Sequence, residues 1–163
     1  MLVGVVSDTH NRVGHVKEIV NLFNEHLVSL VVHTGDITNA KTLNHFSKLN
    51  CPLKGVYGNN DLDEIGLEET SLDNGFDFKL PPYIFSLKDK KIAVFHEPDP
   101  IESLLERVND IDLVLHGHTH RYRNEDINGV KFFNPGECAG SQKGKNAIGI
   151  VEIDSLEINR IFF

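Results

Sequence analysis

Five short apolar runs in this sequence each stop on an aspartate, a histidine or an asparagine. "LVGVVSD" (2–8) leads into Asp8-Thr9-His10, "LVSLVVHTGD" (27–36) ends on Asp36, and "LKGVYGNND" (53–61) runs into Asn59-Asn60-Asp61. "KIAVFHE" delivers His96, and "IDLVLHG" delivers His116-Gly117-His118-Thr119-His120. An unbroken apolar run reads as a strand covered on both faces, the habit of parallel sheets. The residues that follow such strands lie at the carboxyl edge of the sheet, where open α/β folds bind ligands.

The segments between the runs agree with this. Residues 13–27 repeat Val13, Val16, Ile19, Val20, Phe23 and Leu27 at helical spacing. Residues 40–49 suit a short helix, and Pro100 can open another through Arg107. "YIFSL" and "KIAVFHE" pair around the turn "KDKK". Asn128-Gly129 marks a hairpin, and Asp154-Ser155 joins "NAIGIVEID" to "LEINRIFF" in a second. Residues 62–81 are acidic and weakly patterned and read as a surface loop. Strand–helix alternation followed by strands points to one α/β domain over 1–163, with mixed sheets and helices outside.

Composition narrows the function. The net charge of −8 and the absence of a Lys/Arg block argue against a nucleic-acid polymer as partner. A small anionic substrate stays open, because bound cations dominate the local field. No apolar run approaches the ~20 residues of a membrane helix. "MLVGVVSDTH" lacks a basic leader and a small-residue cleavage site, so it reads as a first strand of a cytoplasmic protein. Cys51 and Cys138 are then two free thiols.

Each polar strand end alone has an ordinary explanation. Asp8 or Asp36 could cap a helix, Asn59 to Asp61 could form a turn, and His96 could be a buried, satisfied histidine. Five together at one sheet edge form a carboxylate, imidazole and amide donor set without thiolate. That set suits manganese, nickel, iron or zinc and is poor for copper(I) or iron–sulfur clusters. Its size exceeds the needs of one tetrahedral ion, so two ions fit better.

The order Asp-x-His, Gly-Asp, Gly-Asn-x-Asp, His and Gly-His-x-His resembles the calcineurin-like metallophosphoesterase family. Here it reads Asp8-Thr9-His10, Gly35-Asp36, Gly58-Asn59-Asn60-Asp61, His96 and Gly117-His118-Thr119-His120. The short length and Asn134-Pro135-Gly136 look like the small prokaryotic phosphodiesterase branch, which also resembles the retromer subunit Vps29. The resemblance implies two mixed β-sheets packed face to face with flanking helices, a four-layer sandwich. It implies one metal on Asp8, His10, Asp36 and His120 and a second on Asp36, Asn59, His96 and His118, bridged by Asp36. His116 is then not a ligand. Manganese or nickel is expected first, with iron or zinc also compatible.

The implied activity is phosphodiester hydrolysis by a hydroxide shared between the two ions. Many relatives read Gly-Asn-His-Asp, whereas this chain has Asn60 in place of the histidine. A neutral amide can donate a hydrogen bond to a phosphoryl oxygen but cannot act as a general acid. Asn60 and Asp61 are the catalytic candidates, with Asp61 fixing a ligand or loop, and Asn60 and Arg12 face the substrate. Glu97-Pro98 replaces a frequent glycine and puts charge at the rim. His15 and His33, the nearest spare histidines, read as a surface-helix residue and a packed strand end; Arg121 and Arg123 read as solvated. The alternatives are a phosphomonoesterase or nucleotide phosphohydrolase on the same site, or a Vps29-like scaffold with a residual metal site. All seven ligand side chains survive, which favours an enzyme. The C-terminal "IFF" offers either a core contact or a homodimer or homotetramer surface.

Overall fold

The computed structural model describes all 163 residues. The chain runs β1 (Leu2–Val6), α1 (Val13–Glu25), β2 (Leu30–His33), α2 (Ala40–Asn44), a 3-10 turn (His45–Lys48) and β3 (Leu53–Val56). It continues through α3 (Leu67–Asp73), β4 (Asp77–Lys79), β5 (Tyr83–Leu87), β6 (Lys90–Val94) and α4 (Ile101–Leu105). It ends with β7 (Leu113–Leu115), β8 (Arg123–Ile127), β9 (Val130–Asn134), β10 (Ala147–Glu152) and β11 (Glu157–Phe162).

Two mixed sheets result. One has the order β11-β10-β1-β2-β3-β4 and the other β5-β6-β7-β9-β8. β1, β2, β3 and β4 are parallel in the first, and β6, β7 and β9 in the second. The apolar runs are covered on both faces, as their lack of alternation requires. From β1, Val3 and Val5 face the second sheet, where they meet Ile92, Val94, Leu113, Leu115 and Phe133. Val6 and Val31 face the other way, onto Val16, Ile19, Val20 and Phe23 of α1. On the far side of the second sheet, Ala93, Val114 and Phe132 pack against Ile101 of α4. The layers are therefore helix, sheet, sheet, helix, and the last layer is thin because α4 has 5 residues.

Residues 62–81 depart from the surface loop expected of them. They form α3 and then β4, which extends the first sheet beside β3. Glu68 and Glu69 occupy the first turn of α3, where carboxylates favour the positive end of the helix dipole. Only Leu67 and Ser71 of that helix are buried, too few positions to leave a periodic signal. Both hairpins form as expected. At the C-terminus Ile161 and Phe163 pack against the core beside α1, while Phe162 points outward.

His33 closes β2 and is fully buried, edge-on to Phe46. Gly35 N–H donates to its Nδ1 at 3.1 Å, so Nε2 carries the proton and donates to Thr9 Oγ1 at 3.0 Å. This bond ties the turn after β1 to the end of β2. Burial pushes the pKa of His33 from the usual 6.5 to about 3. The unfolded chain takes up that proton below about pH 6.5 while the native chain does not. The stability His33 contributes is therefore full above that pH and falls as the pH drops towards 3. In chelator-treated protein the loss should reach about 1.4 kcal/mol per pH unit from this residue. His33→Asn should flatten the profile of urea-unfolding free energy between about pH 6.5 and pH 4. Parallel profiles for the two proteins would remove His33 as the cause.

Candidate metal centre

The carboxyl ends of β1, β2 and β3 meet those of β6 and β7 at one edge of the sandwich. The floor of the site is Asp8, Asp36 and His96, exposed by 0%, 2% and 1%. His10 and His120 are half-buried above them, and Asn59 and His118 stand exposed at the mouth.

The donor atoms gather in two overlapping groups. Ligand atoms of Asp8, His10 and His120 lie within 4.8 Å of one another, and so do those of Asp8, Asp36 and His96. His120 Nε2 is 3.3 Å from Asp8 Oδ1. His96 Nε2 is 3.4 Å from Asp36 Oδ1, 2.9 Å from Asn59 Oδ1 and 3.3 Å from His118 Nδ1. His118 Nδ1 is itself 3.0 Å from Asn59 Oδ1. On its other side, Asp36 Oδ2 lies 3.9 Å from His10 Nε2.

These contacts fit a bound cation. Asp8 Oδ2 is occupied by the Ser7 hydroxyl and by the His118 N–H at 3.1 Å. Asp8 Oδ1 is buried and faces His120 Nε2 at 3.3 Å without a well-aligned hydrogen bond, a costly state for a carboxylate oxygen. His96 Nδ1 donates to the Thr34 carbonyl at 2.9 Å, which leaves a lone pair on Nε2 in the neutral ring. That lone pair faces the Asn59 oxygen, and two acceptors face each other stably only with a proton or a cation between them. The metal-free electrostatics follow the proton option. Burial lowers the pKa of His96, but Asp36 and Asp8 outweigh it and hold the ring above its ordinary value. Asp8 likewise raises His120. Burial pushes Asp36 upward, yet the neighbouring His96 and the N–H groups of Asn60 keep it below the usual carboxylate range.

The backbone is bent to aim these side chains. Asp8, His10, Asp36, His118 and His120 have φ of 50°, 42°, 60°, 65° and 55°, in the left-handed region that few non-glycine residues enter. Such strain persists only where surrounding contacts over-determine it. Two glycines make room. A Cβ on Gly117 would sit 2.0 Å from Ser7 Oγ and 2.8 Å from Asp8 Oδ2, and one on Gly58 would sit 2.3 Å from Asp36 Oδ1.

Asp61 accepts the N–H groups of Asp36, Ile37, Thr38 and Gly58 at 2.7–2.9 Å. It therefore fixes the two loops carrying Asp36 and Asn59 through backbone amides, and no imidazole is among its donors. Burial raises its pKa against the pull of those amides. Asn60 donates from its side chain and its backbone to Asp36, at 2.7 and 3.0 Å, and so points at the carboxylate rather than outward. Arg12 and Glu97 are exposed and make no ion pair. His116 is buried; its Nδ1 donates to the Gly117 carbonyl at 3.2 Å and its Nε2 meets no ligand atom. His15 is tied to the Cys138 carbonyl at 2.7 Å. Arg123 pairs with Glu125 and covers Phe132.

Ser7, Thr34 and Asn134 also serve the site, without belonging to any of the five motifs. Asn134 ends β9, the third parallel strand of its sheet. It donates to the Gly117 carbonyl at 2.9 Å and to Thr119 Oγ1 at 3.2 Å, which props the Gly-His-Thr-His turn from below. Its position after an apolar run, ahead of Pro135-Gly136, was the available signal.

The chain is 31% identical to a phosphodiesterase of Methanocaldococcus jannaschii over 99% of its own length and 98% of that protein. The solved structure of an archaeal phosphodiesterase superposes with a TM-score of 0.90 at 29% identity, covering 100% of both chains. A zinc complex of Vps29 from Entamoeba histolytica shares the fold, with a TM-score of 0.69 at 17% identity over 99% of each chain. The calcineurin-like phosphoesterase superfamily domain matches residues 1–156, and the chain belongs to that superfamily.

Proposed function

We propose that this protein is a metal-dependent phosphodiesterase with a dinuclear site. Asp8, His10, Asp36 and His120 hold one ion; Asp36, Asn59, His96 and His118 hold the other. The observation that carries the reading is the position of Asp36. Its Oδ1 lies 3.4 Å from His96 Nε2 and its Oδ2 lies 3.9 Å from His10 Nε2, so one buried carboxylate reaches both groups. The kinship with an archaeal phosphodiesterase supports a diester as substrate. Oxygen and imidazole donors without thiolate favour manganese or nickel, with iron or zinc also accepted. Free Cys51 and Cys138 accord with a reducing, cytoplasmic setting.

Bound divalent ions would lower the pKa of water and offset the charge that develops on the phosphoryl oxygens. The chain's own groups set the stage for this. His96 keeps its Nε2 lone pair forward through the Thr34 carbonyl. Asp61 holds the loops that carry Asp36 and Asn59. Asn60 steadies Asp36 and offers no exchangeable acid, and the spare histidines His15 and His33 are engaged by the Cys138 carbonyl and by Thr9. Esters whose leaving oxygen departs without protonation should therefore react fastest.

Asp36→Asn and His118→Ala should each lower metal-dependent hydrolysis of bis(p-nitrophenyl) phosphate by at least about a hundredfold, with an unchanged circular dichroism spectrum. Full activity of either variant under controlled metal would refute the dinuclear reading. The same preparations assayed on p-nitrophenyl phosphate separate a diesterase from a monoesterase.

Metal uptake should release protons, because the carboxylates around His96 and His120 raise the affinity of both rings for a proton that an ion would displace. Affinity should accordingly weaken as the pH falls. Calorimetric titration in buffers of different ionisation enthalpy measures the release, and identical heats in all buffers would contradict it. Asp61→Asn, which replaces an acceptor by an N–H donor among four amides, should weaken metal binding about ten- to a hundredfold in the same titration.

A further inference from the structure

Beside the donor cluster lies an open cleft of about 340 Å³. Asn59 and His96 form its inner end, and Leu62, Leu80, Pro81 and Pro82 form its walls. Leu62 and Leu80 are 62% and 65% exposed, large apolar side chains left in water at the rim of a polar site. Exposed leucines scattered over a surface are ordinary, but a pair facing a shared hollow marks a contact surface. The prolines lack backbone N–H groups, so that side of the cleft presents few polar donors. A second hollow of about 350 Å³ shares Tyr57, Leu62 and Leu80 with the first and ends on Glu64 and Glu68, with Lys79 as its one cation. Glu97 stands at the near rim.

Resting on the phosphodiesterase reading, we propose that this cleft binds the retained ester arm of the substrate and selects a neutral, flat, apolar group such as an aryl ring. The size lies at the lower end of small-molecule sites, enough for one ring and short of a drug-sized ligand. The walls gain from an apolar surface withdrawn from water. Glu64, Glu68 and Glu97 oppose an anionic arm, which disfavours a polynucleotide or a second phosphate there. The departing arm belongs outside the cleft. Its oxygen gains negative charge as the bond to phosphorus breaks, and Glu97 would repel that charge within the cleft. Leu62 and Leu80 are thus specificity residues that touch the arm and not the reacting atoms.

Two variants test this in manganese-loaded protein. Leu62→Ser/Leu80→Ser changes exposed positions only. In wild type, diphenyl phosphate should compete with bis(p-nitrophenyl) phosphate about tenfold more tightly than dimethyl phosphate does, and the double variant should erase most of that gap. With p-nitrophenol as the common leaving group, the variant should raise KM for phenyl p-nitrophenyl phosphate about five- to tenfold and leave methyl p-nitrophenyl phosphate within about twofold. Glu97→Gln should improve kcat/KM several-fold more for a diester whose retained ring bears a carboxylate than for the phenyl ester, and an equal change for the two would count against the subsite. Equal binding of the two phosphates to wild type, or equal KM changes for the phenyl and methyl esters, overturns the subsite while wild-type hydrolysis still upholds the diesterase reading. Should wild type hydrolyse no diester with any divalent ion, that reading falls and the subsite with it.

Discussion

The bond from His96 Nδ1 to the Thr34 carbonyl does two things at once. It crosses from the second sheet to the first, and it turns the other ring nitrogen into an acceptor that faces Asn59. The bond from the His118 N–H to Asp8 Oδ2 repeats the pattern, joining the sheets while leaving Asp8 Oδ1 turned towards His120. Elsewhere the sheets meet mainly through valine, leucine, isoleucine and phenylalanine, contacts that carry no direction, with the Lys54–Tyr83 hydrogen bond between β3 and β5 a polar exception. At the carboxyl edge they meet through hydrogen bonds, and those bonds decide which lone pairs point inward.

The cluster is held under conformational tension. Five of the seven proposed ligands occupy left-handed backbone. No single local contact would keep them there. Asp61 gathers four amides from two loops, Asn134 braces the turn after β7, and His33 ties the turn after β1 to β2. The glycines at 58 and 117 let these turns approach closer than any side chain would allow. Removing a brace should therefore act at a distance, by letting a turn relax away from the geometry the donors share.

Much of this was legible before any coordinates. Apolar runs without alternation foretold strands covered on both faces, and their polar ends foretold the edge at which the donors gather. The residue types at those ends excluded thiolate chemistry. The braces were less visible, because Asp61 and Asn134 act on backbone groups, and a carboxylate or amide that binds backbone leaves no pairing pattern in the sequence. The direction of Asn60 was not legible for the same reason: an asparagine in a turn can aim either way, and here it donates to Asp36. The acidic stretch after residue 61 hid a helix with two buried residues and a three-residue strand, both too short to show a period.

The bond between Asp8 and His118 joins residues 110 positions apart, and β1 is flanked by β10 from near the other end of the chain. Closing loops of that length costs chain entropy that only the long-range contacts repay. The carboxylate of Asp8 acquires its partner across the sheets only when the turn after β7 is in place. A nascent or half-folded chain presents the aspartates and histidines separately, as weak and scattered ligands. A tight ion site is consequently a certificate of completed folding, and an ion bound there stabilises the finished chain over every earlier state.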